Sequence, residues 1–186
     1  MSNLITKPDF ASAREIIDER IKRVMSSKFK ISEGTGDISD KAVCIMQATE
    51  YVLGYEIITG ATEYGDHPPC TSETITQFMI EINDAVSDRK RAKLKQVIPN
   101  IINTCPTKWN SNLLDSKPLL VRQENDPDYL RAESKRQNMI DEFQYKHTPK
   151  SGWNEGHFRW ANITMTKYIP FIRELAEVAK FDTARL

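Results

Sequence analysis

The chain has 186 residues, 39% of them hydrophobic and 28% charged, so it can bury one sizeable core and is too apolar to stay disordered. Its 26 basic residues balance its 26 acidic residues, which removes the overall positive charge on which binding to nucleic acid or an anionic membrane depends. We find no apolar run typical of a secretory signal or a membrane span, and three separated cysteines do not form a disulfide framework, so a cytoplasmic protein with free thiols is expected.

Helical patterns follow one another along the chain. Apolar residues at a 3.6-residue period and cap residues predict helices at about 10–25, 40–54, 72–86, 88–102, 127–145 and 154–180. On the first of these, Glu19 is expected to pair with Arg23, four residues later. Ser39 or Asp40 is predicted to cap the second helix.

Proline residues and caps set the ends and breaks of the later helices. Thr71 or Ser72 is predicted to cap the third helix, and Asp126-Pro127 is a strong start signal for the fifth. Pro99 is expected to kink or break the fourth helix near Val97, and Pro170 to kink the last.

Strand patterns are nearly absent. Residues 105–125 are predicted to be an extended or short-stranded connection in which Leu119-Leu120-Val121 contacts the core. The predicted fold class is therefore all-α, a single-domain bundle of five to seven helices over residues 1–186, with a long loop between helices 2 and 3.

That loop, at roughly residues 55–71, and the helix before it form the most distinctive stretch. Loops of such length are uncommon inside a compact domain and are often functional. The loop ends in Tyr64-Gly65-Asp66-His67-Pro68-Pro69-Cys70, and Cys44 shares a face of the preceding helix with Gln47 and Tyr51. We therefore take five residues as candidates for binding a ligand or a partner: Tyr64, Asp66, His67, Cys70 and Cys44.

Three interpretations of this stretch remain open. A zinc site would use Cys44, His67 and Cys70 with Asp66 or Cys105, although the chain has no CxxC or HxxxH pair. A cysteine-dependent enzyme would use Cys70 as a thiolate at the start of a helix and His67 as its base. In the third interpretation no ligand is involved: Cys44 is a small buried hydrophobe, and the segment with Asp66 and His67 is a rigid turn.

Two further clusters of residues are candidates for binding. The basic run at residues 88–95 surrounds its predicted helix and contains no aromatic residue, so it indicates a solvated helix start more than a nucleic-acid surface. Trp153, Glu155, His157 and Trp160 could hold a planar ligand, but such a cluster more often packs in a core or an interface.

The central part of the chain combines several short motifs: Cys44-Ile45-Met46-Gln47-Ala48, Gly54, Asp66-His67-Pro68-Pro69-Cys70, Phe78, Asn83-Asp84 and Leu94-Lys95-Gln96-Val97-Ile98-Pro99. These residues, within about 33–105, resemble a domain-of-unknown-function family of actinobacterial and bacteriophage proteins. The family usually has C-x-M-E where this chain has Gln47, and many members carry an alanine- and tryptophan-rich C-terminal half that this chain lacks. The resemblance implies that Cys44, Asp66 and Cys70 act as a unit, and it implies no known activity.

The leading hypothesis is a non-enzymatic binding protein, encoded by a phage or another mobile element. It would bind a host protein or a small ligand through the 55–71 loop and the adjacent helix ends. The alternatives are a cysteine-dependent enzyme using Cys70 and His67, a structural zinc protein, and a binder of a nucleotide or signalling molecule. No cofactor other than zinc is expected, and neither nucleic acid nor a membrane is an expected partner.

Overall fold

The helices and short strands alternate along the chain in this computed structural model, which describes residues 10–34, 42–53, 57–58, 61–62, 67–110, 119–148 and 160–181. The helices are α1 (Phe10–Met25), α2 (Ile45–Leu53), α3 (Glu73–Ala85), α4 (Asp88–Arg91), α5 (Ile98–Ile101), α6 (Pro127–His147) and α7 (Met165–Glu177). A 3₁₀ segment at Ala92–Val97 joins α4 to α5. The all-α fold class is confirmed.

Three small strand pairs accompany the helices. The strands are β1 (Lys30–Ile31), β2 (Ala42–Val43), β3 (Ile57–Ile58), β4 (Ala61–Thr62), β5 (Thr107–Asn110) and β6 (Leu119–Arg122). The β1–β2 pair is parallel, whereas β3–β4 and β5–β6 are antiparallel. The long connection between α2 and α3 therefore contains a paired segment, β3–β4.

Two predicted helix starts are confirmed by their capping contacts. The Ser72 hydroxyl accepts a hydrogen bond of 3.2 Å from the backbone N–H of Ile75 at the start of α3. The Asp126 carboxylate accepts bonds of 2.8 Å and 3.1 Å from the N–H groups of Asp128 and Tyr129 at the start of α6. Both caps satisfy backbone donors that the first helical turn leaves without a partner.

The second helix begins later than the sequence predicts. Ala42–Val43 forms β2, and the backbone N–H of Cys44 donates to Gln47 Oε1 at 2.9 Å while the N–H of Gln47 donates to Cys44 Sγ at 3.3 Å. This reciprocal pair is a capping box with a cysteine at the cap position, so α2 starts at Ile45. Ser39 and Asp40 lie outside the described residues.

The last helix also begins later than predicted. A turn occupies residues 160–163, closed by the bond of 3.2 Å from the N–H of Ile163 to the carbonyl of Trp160, and α7 starts only at Met165. Pro170 lies inside α7, and the expected kink at this proline stays a prediction. The predicted start near residue 154 lies outside the described part of the chain.

The fourth predicted helix is broken before Pro99, as expected, into α4, the 3₁₀ segment and α5. The expectation that its basic residues are all solvated is wrong for Arg91 and Lys95, which are 3% and 6% exposed. Arg91 donates to two carbonyls near the end of α3, and Lys95 Nζ donates at 3.0 Å to the carbonyl of Ser26 beyond α1. The two buried cations therefore bind backbone carbonyls at the end of α3 and in the segment that follows α1.

The core is one hydrophobic cluster built mainly from α2, α3, the 3₁₀ segment, α5 and α7. At one end, Phe78 of α3 makes edge-to-face contacts with four other rings: Phe143, Trp160, Tyr168 and Phe171. Trp160 is fully buried and donates its indole N–H to Glu81 at 2.5 Å, so it serves core packing. Trp153, Glu155 and His157 lie outside the described residues.

The connection from Cys105 to Asn125 contains the β5–β6 hairpin, in which Thr107 pairs with Arg122. The prediction that Val121 contacts the core is wrong, because this side chain is 42% exposed. Side chains alternate between the two faces of a strand, so the exposure of Val121 fits with the burial of its neighbour Arg122, whose side chain is 12% exposed. No helix within the described ranges is both long enough and apolar enough to span a membrane.

Candidate functional site

The end of the 55–71 loop is a buried turn that leads directly into α3. The backbone N–H of Thr71 donates to the carbonyl of Pro68 at 3.0 Å, and Pro68, Pro69 and Cys70 are all buried. The carbonyl of Cys70 accepts a bond of 3.1 Å from the N–H of Cys105. The chain before β5 therefore fixes this turn from the opposite side.

Arg122, at the end of β6, ties the turn to α3. Its guanidinium donates to the Glu73 carboxylate and, at 3.0 Å, to the carbonyl of Pro68. On the other side of Glu73, His67 Nδ1 lies 3.0 Å from Oε1, and Gln77 Nε2 donates to the same oxygen at 3.1 Å. The side chains of His67 and Glu73 remain 40% and 43% exposed, so this is the solvent-facing part of the site.

A second carboxylate, Glu133 of α6, contacts the first turn of α3 beside this pair. It accepts bonds from the Ser72 hydroxyl at 2.5 Å, the N–H of Thr74 at 2.9 Å and Arg136 Nη1 at 2.7 Å. Tyr129 donates its hydroxyl to Glu133 Oε2 at 3.2 Å. The positive end of the α3 dipole is thus occupied by a carboxylate of the protein itself.

Tyr129 connects the two carboxylates, because its hydroxyl also accepts a bond of 3.2 Å from the N–H of Glu73. We call His67, Glu73, Arg122, Tyr129 and Glu133 the anchor cluster. Its members come from the loop end, α3, β6 and α6, and together they hold these four segments in one arrangement.

Hydrogen bonds keep both carboxylates of the anchor cluster charged. Burial alone would raise the pKa of Glu73, but the bonds from Gln77 and Arg122 outweigh it and lower that pKa below its ordinary value. Burial likewise opposes ionisation of Glu133, and the donors on Ser72, Thr74 and Arg136 again lower the pKa. Both groups are therefore anions at neutral pH.

Cys70 lies beneath this surface and does not have the properties of a nucleophile. Its side chain is 1% exposed, and burial raises the pKa of its thiol despite bonding to Asn103 and Thr71. This direction is opposite to the one that the cysteine-enzyme hypothesis requires. His67 and Cys70, both within the described residues, share no hydrogen bond, since His67 pairs with Glu73.

The other two cysteines are buried as well. Cys44 is 4% exposed and caps α2 through the reciprocal bonds with Gln47, while burial raises the pKa of Cys105 to about 12. Within the described part of the chain, no three His, Cys, Asp or Glu side chains are placed to hold a metal ion. Asp66 lies outside that part, so a zinc site that includes it stays a prediction.

The structure therefore brings together only some of the residues predicted for the site. His67 and Cys70 are near each other in sequence but differ in exposure, and Tyr64 and Asp66 lie outside the described residues. Four residues of the anchor cluster were not among the predicted site residues: Glu73, Arg122, Tyr129 and Glu133. Most of the contacts that join them to the loop end and to one another link residues about 50 positions apart in the sequence. The one local sequence signal for these residues was the strong cap at Asp126. It fixes the start of α6 and therefore the position of Glu133 on that helix.

In comparisons with known proteins, no family model, no curated protein and no solved structure matches the chain. The resemblance of residues 33–105 to an uncharacterised family thus stays a prediction. The candidate site rests on its own geometry.

Proposed function

We propose that the chain is a non-enzymatic binding protein that recognises a partner protein through the 55–71 loop and the exposed edge of the anchor cluster. A phage- or mobile-element-encoded protein that acts on a host protein would fit this role. Binding of a small ligand at the same surface is the alternative that the experiment below separates by mass.

The observation that carries the proposal is the double contact of Arg122 with Glu73 and with the carbonyl of Pro68. It fixes the last residues of a long loop onto the helical scaffold while His67 and Glu73 stay accessible to solvent. A surface that is fixed before binding loses less conformational entropy when a partner docks. A loop end that is held in one conformation before binding therefore favours recognition of a partner.

The charges of the cluster favour binding over catalysis. Glu73 is paired with Arg122, and Glu133 with Arg136, so each carboxylate already holds protein segments together. The thiol at the end of the loop, Cys70, is closed off from solvent and has a raised pKa. The groups that remain exposed, His67 and Glu73, suit hydrogen bonds across an interface.

The proposal is tested by native mass spectrometry of the protein isolated from its own host cells. We expect the wild-type chain to carry a bound protein, and His67→Ala, Tyr64→Ala and Asp66→Ala to reduce the bound fraction. Lys135→Ala, an exposed change on α6 outside the anchor cluster, is the matched control and should retain the partner. A partner retained by all the loop variants, or a wild-type chain that is isolated alone, would overturn the proposal. A bound mass of a few hundred daltons that the loop variants lose would replace the partner protein by a small ligand at this surface.

A further inference from the structure

Two arginines of α1 converge on one ring of α2. The guanidinium carbons of Arg20 and Arg23 lie 5.4 Å and 5.9 Å from the centre of the Tyr51 ring. The two arginines are three residues apart and so project from one face of the helix. Arg20 Nη1 also donates to the carbonyl of Tyr51 at 3.0 Å, which fixes this side chain at the end of α2.

No carboxylate of the described residues is within ion-pair distance of either guanidinium. The pairing of Glu19 with Arg23 that the sequence predicts is therefore wrong. Two cations held at one ring repel each other, and the attraction of each for the ring offsets only part of this cost. An anion placed between them would remove the repulsion.

The same residues border an open cavity. Glu19, Arg20, Arg23 and Tyr51 line a space of about 290 Å³. Pockets for drug-sized ligands span roughly 300–1,000 Å³, so this space, at the lower end of that range, suits a phosphate with a small organic group attached and is too small for a large cofactor. Arg20 uses one of its five N–H donors on Tyr51, which leaves the others for a ligand.

We propose that Arg20, Arg23 and Tyr51 form a binding site for the phosphate group of a small soluble phosphomonoester. Two guanidiniums match the double charge of a phosphate dianion, and their planar forks form paired hydrogen bonds with its oxygens. Glu19 lines the same space and would disfavour a ligand with further negative charge near it. The site lies on α1 and α2 and is independent of the proposed role of the anchor cluster.

The test is isothermal titration calorimetry of the whole chain at fixed ionic strength, with glycerol 3-phosphate as the probe and glycerol as its uncharged counterpart. We expect glycerol 3-phosphate to bind and glycerol not to bind. Arg23→Ala should weaken binding by about tenfold or more, because it removes charge-assisted bonds to the phosphate. Lys22→Ala removes the same charge from an exposed neighbouring position and should change the affinity by less than about twofold.

Arg23 is exposed, so its alanine variant should fold, and circular dichroism checks this. Arg20→Lys serves as a second variant that keeps the charge but loses the fork, and it should bind more weakly than the wild type. Equal loss in Arg23→Ala and Lys22→Ala, or no difference between glycerol 3-phosphate and glycerol, would overturn the proposal. Co-sedimentation with vesicles of phosphatidylcholine and phosphatidic acid, without binding of glycerol 3-phosphate, would assign the arginines to a lipid headgroup and overturn the soluble ligand.

Discussion

The Ser72 hydroxyl donates to the Glu133 carboxylate at 2.5 Å across 61 positions of sequence. Ser72 is also the N-cap of α3, and Glu133 accepts a further bond from the N–H of Thr74 in the first turn. The start of α3 is therefore capped twice, once by its own serine and once by α6. Because the 55–71 loop runs directly into this turn, the position of the loop end depends on a residue of α6.

Glu133→Gln should destabilise the fold. The amide keeps one acceptor oxygen but loses the charge that pairs with Arg136, whose side chain is fully buried. An uncompensated buried cation and a weakened cap should lower the free energy of unfolding by about 2–4 kcal/mol. Urea denaturation of the variant measures this, and Glu142→Gln, an exposed change on the same helix, should stay within about 0.5 kcal/mol of the wild type. Equal stability of the two variants would contradict the role of Glu133.

The contribution of Glu133 should depend on pH. Since its pKa in the folded protein is lowered from the ordinary 4.5, the folded state favours the charged form. The stabilisation is fully present above that ordinary value and is lost as the pH falls through the lower folded pKa. The difference in unfolding free energy between the wild type and Glu133→Gln should thus be constant from pH 7 to about 5.5 and shrink at more acidic pH. A difference that grows on acidification would reverse the assigned direction.

Cys70 should resist alkylation in the folded protein. Burial closes its thiol and raises its pKa from the ordinary 9.0, so the reactive thiolate is scarce at neutral pH. Iodoacetamide labelling followed by peptide mass spectrometry should show little modification of Cys70 at pH 7 and full modification in urea. Rapid native labelling with a midpoint below the ordinary value would instead restore the cysteine-enzyme hypothesis.

Local chemistry was enough to predict the fold class and two helix starts. Ser72, Asp126 and Pro127 act within one helical turn, so their effect is visible in a short stretch of sequence. The capping role of Cys44 and Gln47 was missed, because cysteine is not a usual cap residue and the sequence offered Ser39 or Asp40 instead.

Long-range contacts explain most of what the sequence did not reveal about the candidate site. His67, Cys70 and the loop were identified from composition, whereas Arg122 and Glu133 reach them only through the β5–β6 hairpin and α6. Neither residue belongs to a local motif. The pairing of distant segments, which decides such contacts, leaves no periodic signal in the sequence.

Arg91 illustrates a different kind of error, and it supports the last prediction. The sequence predicts an α-helix for the basic run, but the chain tightens into a 3₁₀ segment, where residues three apart are aligned. Arg91 then falls in line with Leu94 and Val97, which are both buried.

Arg91→Ala should therefore cost far more stability than Arg89→Ala, two residues earlier on α4. Arg91 donates to the carbonyls of Asn83 at 2.8 Å and Val86 at 2.9 Å, and its loss leaves both acceptors at the end of α3 without this donor. We expect a decrease of about 2–4 kcal/mol in the free energy of unfolding, because bonds to charged donors are strong and these carbonyls are buried. Arg89 is exposed, and its replacement should change stability by about 0.5 kcal/mol or less. Urea denaturation of both variants gives the comparison. Similar free energies of unfolding for the two variants would mean that the hydrogen bonds of buried Arg91 add nothing to the stability beyond the effect of its charge.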